Sequence, residues 1–195
     1  MGRKDSAAWN IIHSNCKMLN MDEEGLRKRA ALLLKYYRRI CWQTFQGAED
    51  IKVQCAEYSS NGLDGALVYL ETFVPDKEKD CFETRIRSLF TAKWMIDLVD
   101  SAMRKVKDFP AGGEEHFEII SKKYLSRFVY SENELLEVLK LERSRYYDKQ
   151  KEAILVFGLA FWGTAIPKYK KFIEAGGDPN KDYQISVDDM FNIYM

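Results

Sequence analysis

Residues 131–151, SENELLEVLKLERSRYYDKQK, constrain the fold more than any other stretch of the chain. Ser131 and Glu134 have the spacing of a capping box, in which each side chain accepts from the other residue's backbone N–H. Leu135, Leu136, Val138 and Leu139 supply an apolar face for a short helix behind that cap. Lys140 and Leu141 leave room for only a few turn residues before a second run that opens Arg143-Ser144-Arg145-Tyr146-Tyr147. A capped short helix, a three- or four-residue turn and a polar-tipped second helix make the helix-turn-helix layout.

The helical period continues on both sides. Trp9, Ile12, Cys16 and Leu19 step by three or four and predict a first short helix. Asp22 is a candidate cap for a longer helix with Leu26, Ala30, Leu33, Tyr37, Ile40 or Cys41, and Phe45 inward, ending at Gly47. Residues 48–60 are ambiguous, because Ile51, Val53 and Cys55 alternate briefly like a strand; a short helix is favoured. A helix from about Leu63 to Phe73 follows, stopped by Pro75. Lys77 to Lys107 contains no Gly or Pro, and Phe82, Ile86, Leu89, Phe90, Trp94, Leu98, Val99, Ala102, Met103 and Val106 mark one long amphipathic helix. At ~1.5 Å per residue it would span about 45 Å. Phe109-Pro110-Ala111-Gly112-Gly113 is the strongest loop signal and reads as a subdomain joint. Glu114 to Arg127 then forms a helix with Phe117, Ile120, Tyr124 and Leu125 inward.

The second helix of the motif runs on as Ala153-Ile154-Leu155-Val156-Phe157-Gly158-Leu159-Ala160-Phe161-Trp162, apolar nearly all round. Such a helix is buried, either in its own core or against a second copy. The organisation expected is all-α: an N-terminal helical region over 1–75, a long central helix and joint over 76–110, a C-terminal helix-turn-helix over 111–164, and a tail with a short helix from Ser186 over 165–195.

Charge places limits on partners. Lys+Arg and Asp+Glu are balanced at 30 each, so there is no global basic excess. DNA binding would have to use a local patch, and residues 143–151 supply one: Arg143, Arg145, Lys149 and Lys151 against Asp148, a local +3 on two turns of helix. The same residues also read as an ordinary solvated helix face.

Other chemistry finds little footing. Cys16, Cys41, Cys55 and Cys81 form no CxxC pair, and His13 and His116 lie at no ligand-like spacing to them, so reduced cysteines and no zinc are expected. No nucleophile elbow, phosphate-binding glycine loop or zinc-protease motif occurs, and no enzyme is expected. No cofactor is implied. Asp178 to Asp189 partly matches a calcium loop, but Tyr183 stands in the glycine position and Asp189 in place of the bidentate Glu, so a simple turn is favoured. There is no apolar run of about 18 residues and no secretory h-region, which points to a cytoplasmic protein without a membrane span.

Trp94-x-Ile96-x-Leu98-Val99-Asp100-Ser101-Ala102, the segment from Ile119 to Leu125 and the two motif helices together resemble the ArpU-like phage late transcriptional regulators. They are also similar to the sigma-factor region 4 that reads the upstream promoter hexamer. The most specific piece is Leu141-Glu142-Arg143-Ser144-Arg145-Tyr146-Tyr147-x-Lys149-x-Lys151-Glu152-Ala153, similar to the family's Ser-x-Ser-x-Tyr-Tyr-x-x-Lys-Lys-Glu-Ala signature. The likeness covers about Trp94 to Trp162. Two departures stand out: Glu142 occupies the usual Ser-type N-cap position, and the turn lacks glycine.

The resemblance implies a sequence-specific, double-stranded DNA-binding regulator of phage or prophage genes, with RNA polymerase and a second copy of the chain as further partner candidates. The start of the second helix would enter the major groove. Arg143, Ser144, Arg145, Tyr146, Lys149 and Gln150 are then expected to be exposed on the groove-facing surface, with Arg suited to guanine and Gln to adenine. Ser144 and Lys149 suit phosphate, Lys122, Lys123 and Arg127 add backbone contacts, and Tyr147 is expected as a core anchor. Two rival readings are a phage terminase small subunit, which ring-like assembly would favour, and a helical protein-interaction module without nucleic acid, which the neutral charge favours.

Overall fold

The computed structural model describes residues 6–46, 62–72 and 93–177, which are helical with no strand among them. Helix α1 (Ala7–Met18) is capped by Ser6, whose hydroxyl accepts from the Trp9 N–H at 3.3 Å. It closes where Asn20 takes a left-handed φ of 52°, so that the Met21 N–H reaches the Cys16 carbonyl at 2.8 Å. Helix α2 (Glu23–Gln46) begins at the predicted cap, with the Asp22 carboxylate accepting from the Gly25 N–H at 2.6 Å. Its buried stripe is Leu26, Ala30, Leu33, Leu34 and Tyr37.

Helix α3 (Gly62–Thr72) buries Ala66, Leu67 and Leu70. Two of the carbonyls that a helix end leaves open are filled from elsewhere in the chain. Trp162 Nε1 donates to the Leu70 carbonyl at 2.7 Å, and Arg29 donates to that of Glu71 at 3.1 Å. Helix α4 (Lys93–Lys107) turns Trp94, Met95, Leu98, Val99, Ala102, Met103 and Val106 inward. The rest of the predicted 77–107 helix, the ambiguous 48–60 segment, the Asp178–Asp189 loop and the predicted helix from Ser186 lie outside the described residues.

The Phe109–Gly113 signal is a tight turn. A Cβ on Gly113 would sit 2.3 Å from the Lys107 carbonyl oxygen, so only glycine lets the next helix start so close to α4. That helix, α5 (Gly113–Ile120), runs into a π turn (Ser121–Leu125). Arg38 of α2 donates to the Lys122 and Lys123 carbonyls of this turn at 3.1 and 2.6 Å, anchoring it to the N-terminal half. The helices on either side of the Phe109–Gly113 turn share one hydrophobic cluster that extends from Ile12 to Ile166.

Helices α6 (Glu132–Leu139) and α7 (Arg143–Ala160) form the motif pair. Beyond α7 the chain keeps right-handed helical dihedrals through a second π turn (Phe161–Ala165) into α8 (Ile166–Glu174). The sequence reading starts a tail at 165; instead Tyr169 of α8 stacks on Trp94 at 6.0 Å between ring centroids, and Lys170 pairs with Glu71 at 2.6 Å. Helix α7 is the centre of the fold. Helices α1, α2, α4 and α5 all pack on it, and every residue from Glu152 to Ala160 is buried. The apolar run is therefore core of its own chain, and that surface is not left open for a second copy. No helix among the described residues is long and apolar enough to cross a membrane.

Candidate nucleic-acid interface

The cap predicted at Ser131 forms in full. The Ser131 hydroxyl accepts from the Glu134 N–H at 3.4 Å, and the Glu134 carboxylate accepts from the Ser131 N–H at 2.7 Å. Of the four apolar residues assigned to the face of α6, only Leu135 is buried. Leu136 and Leu139 are half-buried, and Val138 is exposed, contrary to expectation. The helix rests on the core along a narrow stripe, and Val138 lies off it.

The turn works without glycine because Lys140 adopts the left-handed conformation itself, φ 54°. This lets the Leu141 N–H reach the Leu136 carbonyl at 3.0 Å and the Lys140 N–H reach that of Glu137 at 3.2 Å, a Schellman closure. Glu142 then takes an extended conformation at the α7 N-cap position and makes no side-chain cap bond. The first-turn amides of α7 have no side-chain cap of the kind Ser131 gives α6.

The candidate residues fall into two groups. Arg143, Ser144 and Arg145 stand on the exposed first turn of α7, with the Arg143 and Arg145 side chains 72% and 64% exposed. Arg127 is also exposed. The others turn inward. Gln150 Nε2 donates to the Tyr124 hydroxyl at 2.8 Å, and Lys149 lies 2.7 Å from Glu152 and 3.8 Å from Glu115. Lys122 pairs with Glu118 at 3.2 Å along α5. Lys123 is half-buried over the Tyr146 and Tyr124 rings, at 5.4 and 5.9 Å from their centroids, and burial pushes its ammonium pKa down.

The two tyrosines exchange their expected places. Tyr146 is wholly buried, and burial first, then nearby Tyr124, raises its phenol pKa. Tyr147, expected as the core anchor, is exposed, and its hydroxyl and then Glu132 hold the Arg143 guanidinium in its charged form. The reason lies in tertiary placement: position 146 faces the π turn at the end of α5, and position 147 faces solvent beside Arg143.

Sequence reasoning missed the acids. Glu132 of α6 lies 2.7 Å from Arg143, and Glu115 of α5 lies 3.6 Å from Arg145, so these two of the four cations counted over 143–151 meet carboxylates from elsewhere in the fold. It also missed a buried pair under the motif. His116, 0% exposed, places Nε2 3.3 Å from Glu152 Oε2, and Ser6 donates to the other oxygen, Oε1, at 3.2 Å. Burial alone would raise the Glu152 carboxyl, but the hydrogen bonds from His116 and Lys149 outweigh it and hold the pKa below the usual carboxylate range. The available signals were an acid opening an apolar run and a histidine in register with Ile119 and Ile120.

Cys16 is buried, and burial, then Glu23 and Asp22, pushes its thiol up to about 11. No group of three or more His, Cys, Asp or Glu residues able to hold a metal occurs among the described residues. No known family model, curated protein or solved structure matches the chain.

Proposed function

We propose that the chain is a sequence-specific DNA-binding protein acting in transcriptional control, in the manner of the ArpU-like phage regulators, with the first turn of α7 as its reading element. One observation carries this reading: Arg143, Ser144 and Arg145 project into solvent from a helix whose later turns, Glu152 to Ala160, are core. A helix immobilised over Glu152–Ala160 presents its N-terminal turn with little conformational freedom, which is the arrangement a groove-reading helix uses.

Each residue has a role within this proposal. Arg143 and Arg145 are suited to bidentate contact with guanine edges, and Ser144 with the neighbouring first-turn amides is suited to phosphate. Arg127 adds a backbone contact. Gln150 ties α7 to the π turn after α5 through Tyr124, and Lys149 links Glu152 of α7 to Glu115 of α5. RNA polymerase and a second copy of the chain remain the partners proposed alongside DNA.

The test is selection of genomic fragments on the purified full chain at about 50 and 200 mM salt. A recurring motif retained at the higher salt is the expected result. Arg143→Glu with Arg145→Glu is expected to abolish that retention and leave the helical circular dichroism unchanged. Retention by the double variant would remove α7 from the role.

A second reading, a protein-docking module, is favoured by Phe128 and Val129, which are 60% and 76% exposed in the loop before α6. Absence of any salt-sensitive DNA affinity would decide for it.

A further inference from the structure

The isolated sequence of α7 overstates its charge. Arg143, Arg145 and Lys149 are the cations at its start, and the fold brings a carboxylate to each. Glu132 comes from the first turn of α6, Glu115 from the first turn of α5, and Glu152 from α7 itself. Two of these carboxylates stand at the surface: the Glu132 and Glu115 side chains are 35% and 29% exposed, and the arginines they face are more exposed still. Glu152, 4% exposed, belongs to the buried network.

We propose that Glu115 and Glu132 are specificity-determining residues, which suppress sequence-independent attraction of the α7 start to phosphate. The proposal rests on the reading of α7 as the DNA-contacting helix. Non-specific affinity comes from cations that neutralise phosphates and release condensed counterions. A guanidinium already paired with a carboxylate must shed it, and the displaced carboxylate then faces phosphate with like charge. A base edge is different. The acceptors of guanine carry no net charge, and a carboxylate freed beside a base pair can accept from a cytosine amino group. The two acids therefore penalise generic duplex more than a cognate site, which is discrimination by a repulsive element. It also gives the chain's balanced charge a purpose at this surface: attraction stays low until the right bases are met.

In both pairs the arginine is exposed and the carboxylate part-exposed, and ion pairs at the surface contribute little to stability. Glu115→Gln and Glu132→Gln are therefore expected to fold normally, as read by circular dichroism and urea melts. The experiment compares wild type, each single variant and the double variant on two labelled duplexes by fluorescence anisotropy. One duplex has random sequence, and the other carries the motif recovered by genomic selection. For the double variant, affinity for the random duplex is expected to rise about tenfold at ~50 mM salt, and the log–log salt slope to steepen by about 1.8, two phosphates at ~0.9 each. Affinity for the motif is expected to change less, so the ratio between the two falls. Glu115→Asp with Glu132→Asp, which keeps the charge, is expected to keep most of the suppression.

A folded double variant that binds random duplex no more tightly than wild type overturns the proposal. If wild type reads its motif in that same experiment, the DNA reading survives alone. If wild type binds neither duplex and the double variant binds random duplex, suppression by the acids stands and the specific-regulator reading falls. If no form binds either duplex, both fall.

Discussion

Helix α7 meets carboxylates at both ends of its polar stretch, and the two encounters differ in kind. At its start, exposed Arg143 and Arg145 face part-exposed Glu132 and Glu115 at the surface. Farther along, Glu152 faces His116 where neither side chain is more than 4% exposed, with Lys149 at 20% covering them. In water such pairs are screened, and they exchange readily with other ligands. In the interior, removal of one partner leaves polar groups that nothing else satisfies. The difference separates the two jobs of one helix: its exposed pairs are free to be traded for a nucleic-acid partner, and its buried pair holds α1, α5 and α7 in place.

The largest expected effect lies at the buried end. Glu152→Leu strips the carboxylate from His116, Lys149 and Ser6 together and is expected to destabilise the fold by about 3 kcal/mol in urea melts. A cost comparable with that of neutralising Glu132 would break the comparison. The sign of its pH dependence follows from the depressed carboxyl pKa. The contribution is complete above the ordinary carboxylate value, about 4.3, and is lost as pH falls through the lower folded value. The gap between wild type and the Leu variant is therefore expected to narrow as pH falls through the carboxylate range.

Gly158→Val comes next. A Cβ there would already lie 2.9 Å from Leu26 Cγ and 3.4 Å from Ala30 Cβ, and Val adds two methyl groups to that contact between α7 and α2. Overpacking of about 2 kcal/mol is expected. Differential melts would check it, and a neutral result would show that α2 can move off α7.

What was legible in the chain follows the range of the forces involved. The Ser131–Glu134 box, the Asp22 cap and the inward stripe of α4 are local in sequence, and spacing alone predicts them. Residues whose surroundings come from distant segments were misplaced or missed. Tyr146 and Tyr147 are neighbours with equal propensity, and only the π turn after Ile120 decides which one is covered. Glu115 and Glu132 reach Arg145 and Arg143 from two other helices, so a count over 143–151 cannot see them. The Glu152–His116 pair joins residues that share no helix. The helix after Trp162 was not expected; the π turn takes in Gly163, and Pro167 falls in the opening turn of α8, where its missing N–H is tolerated.

Tyr146→Phe sharpens the comparison from the side of the tyrosines. The Tyr146 hydroxyl is buried and has no hydrogen-bond partner among the described residues. Removing such a group is expected to leave stability unchanged or to raise it by up to about 1 kcal/mol. DNA affinity is expected to stay the same, because the side chain is covered on all sides. A selective loss of motif binding with an unchanged melt would restore Tyr146 to the reading surface.

The smallest expected effect is at Lys140, between the two helices. Its left-handed φ of 54° closes α6, and an L side chain adopts that conformation at a cost of roughly 1–2 kcal/mol relative to right-handed backbone. Glycine removes the strain, but it also gives the unfolded chain more freedom, which offsets part of the gain. Lys140→Gly is therefore expected to stabilise by about 0.5 kcal/mol, read as a rise in the urea midpoint at constant slope. The turn geometry is already set by the Leu141 and Lys140 amides on the carbonyls of Leu136 and Glu137, so the start of α7 should not move. Motif affinity is expected to fall no further than loss of one distant positive charge allows, a change that disappears at ~200 mM salt. A loss of affinity that persists at high salt would mean that Lys140 itself touches the DNA, and would extend the exposed, exchangeable end of α7 back into the turn.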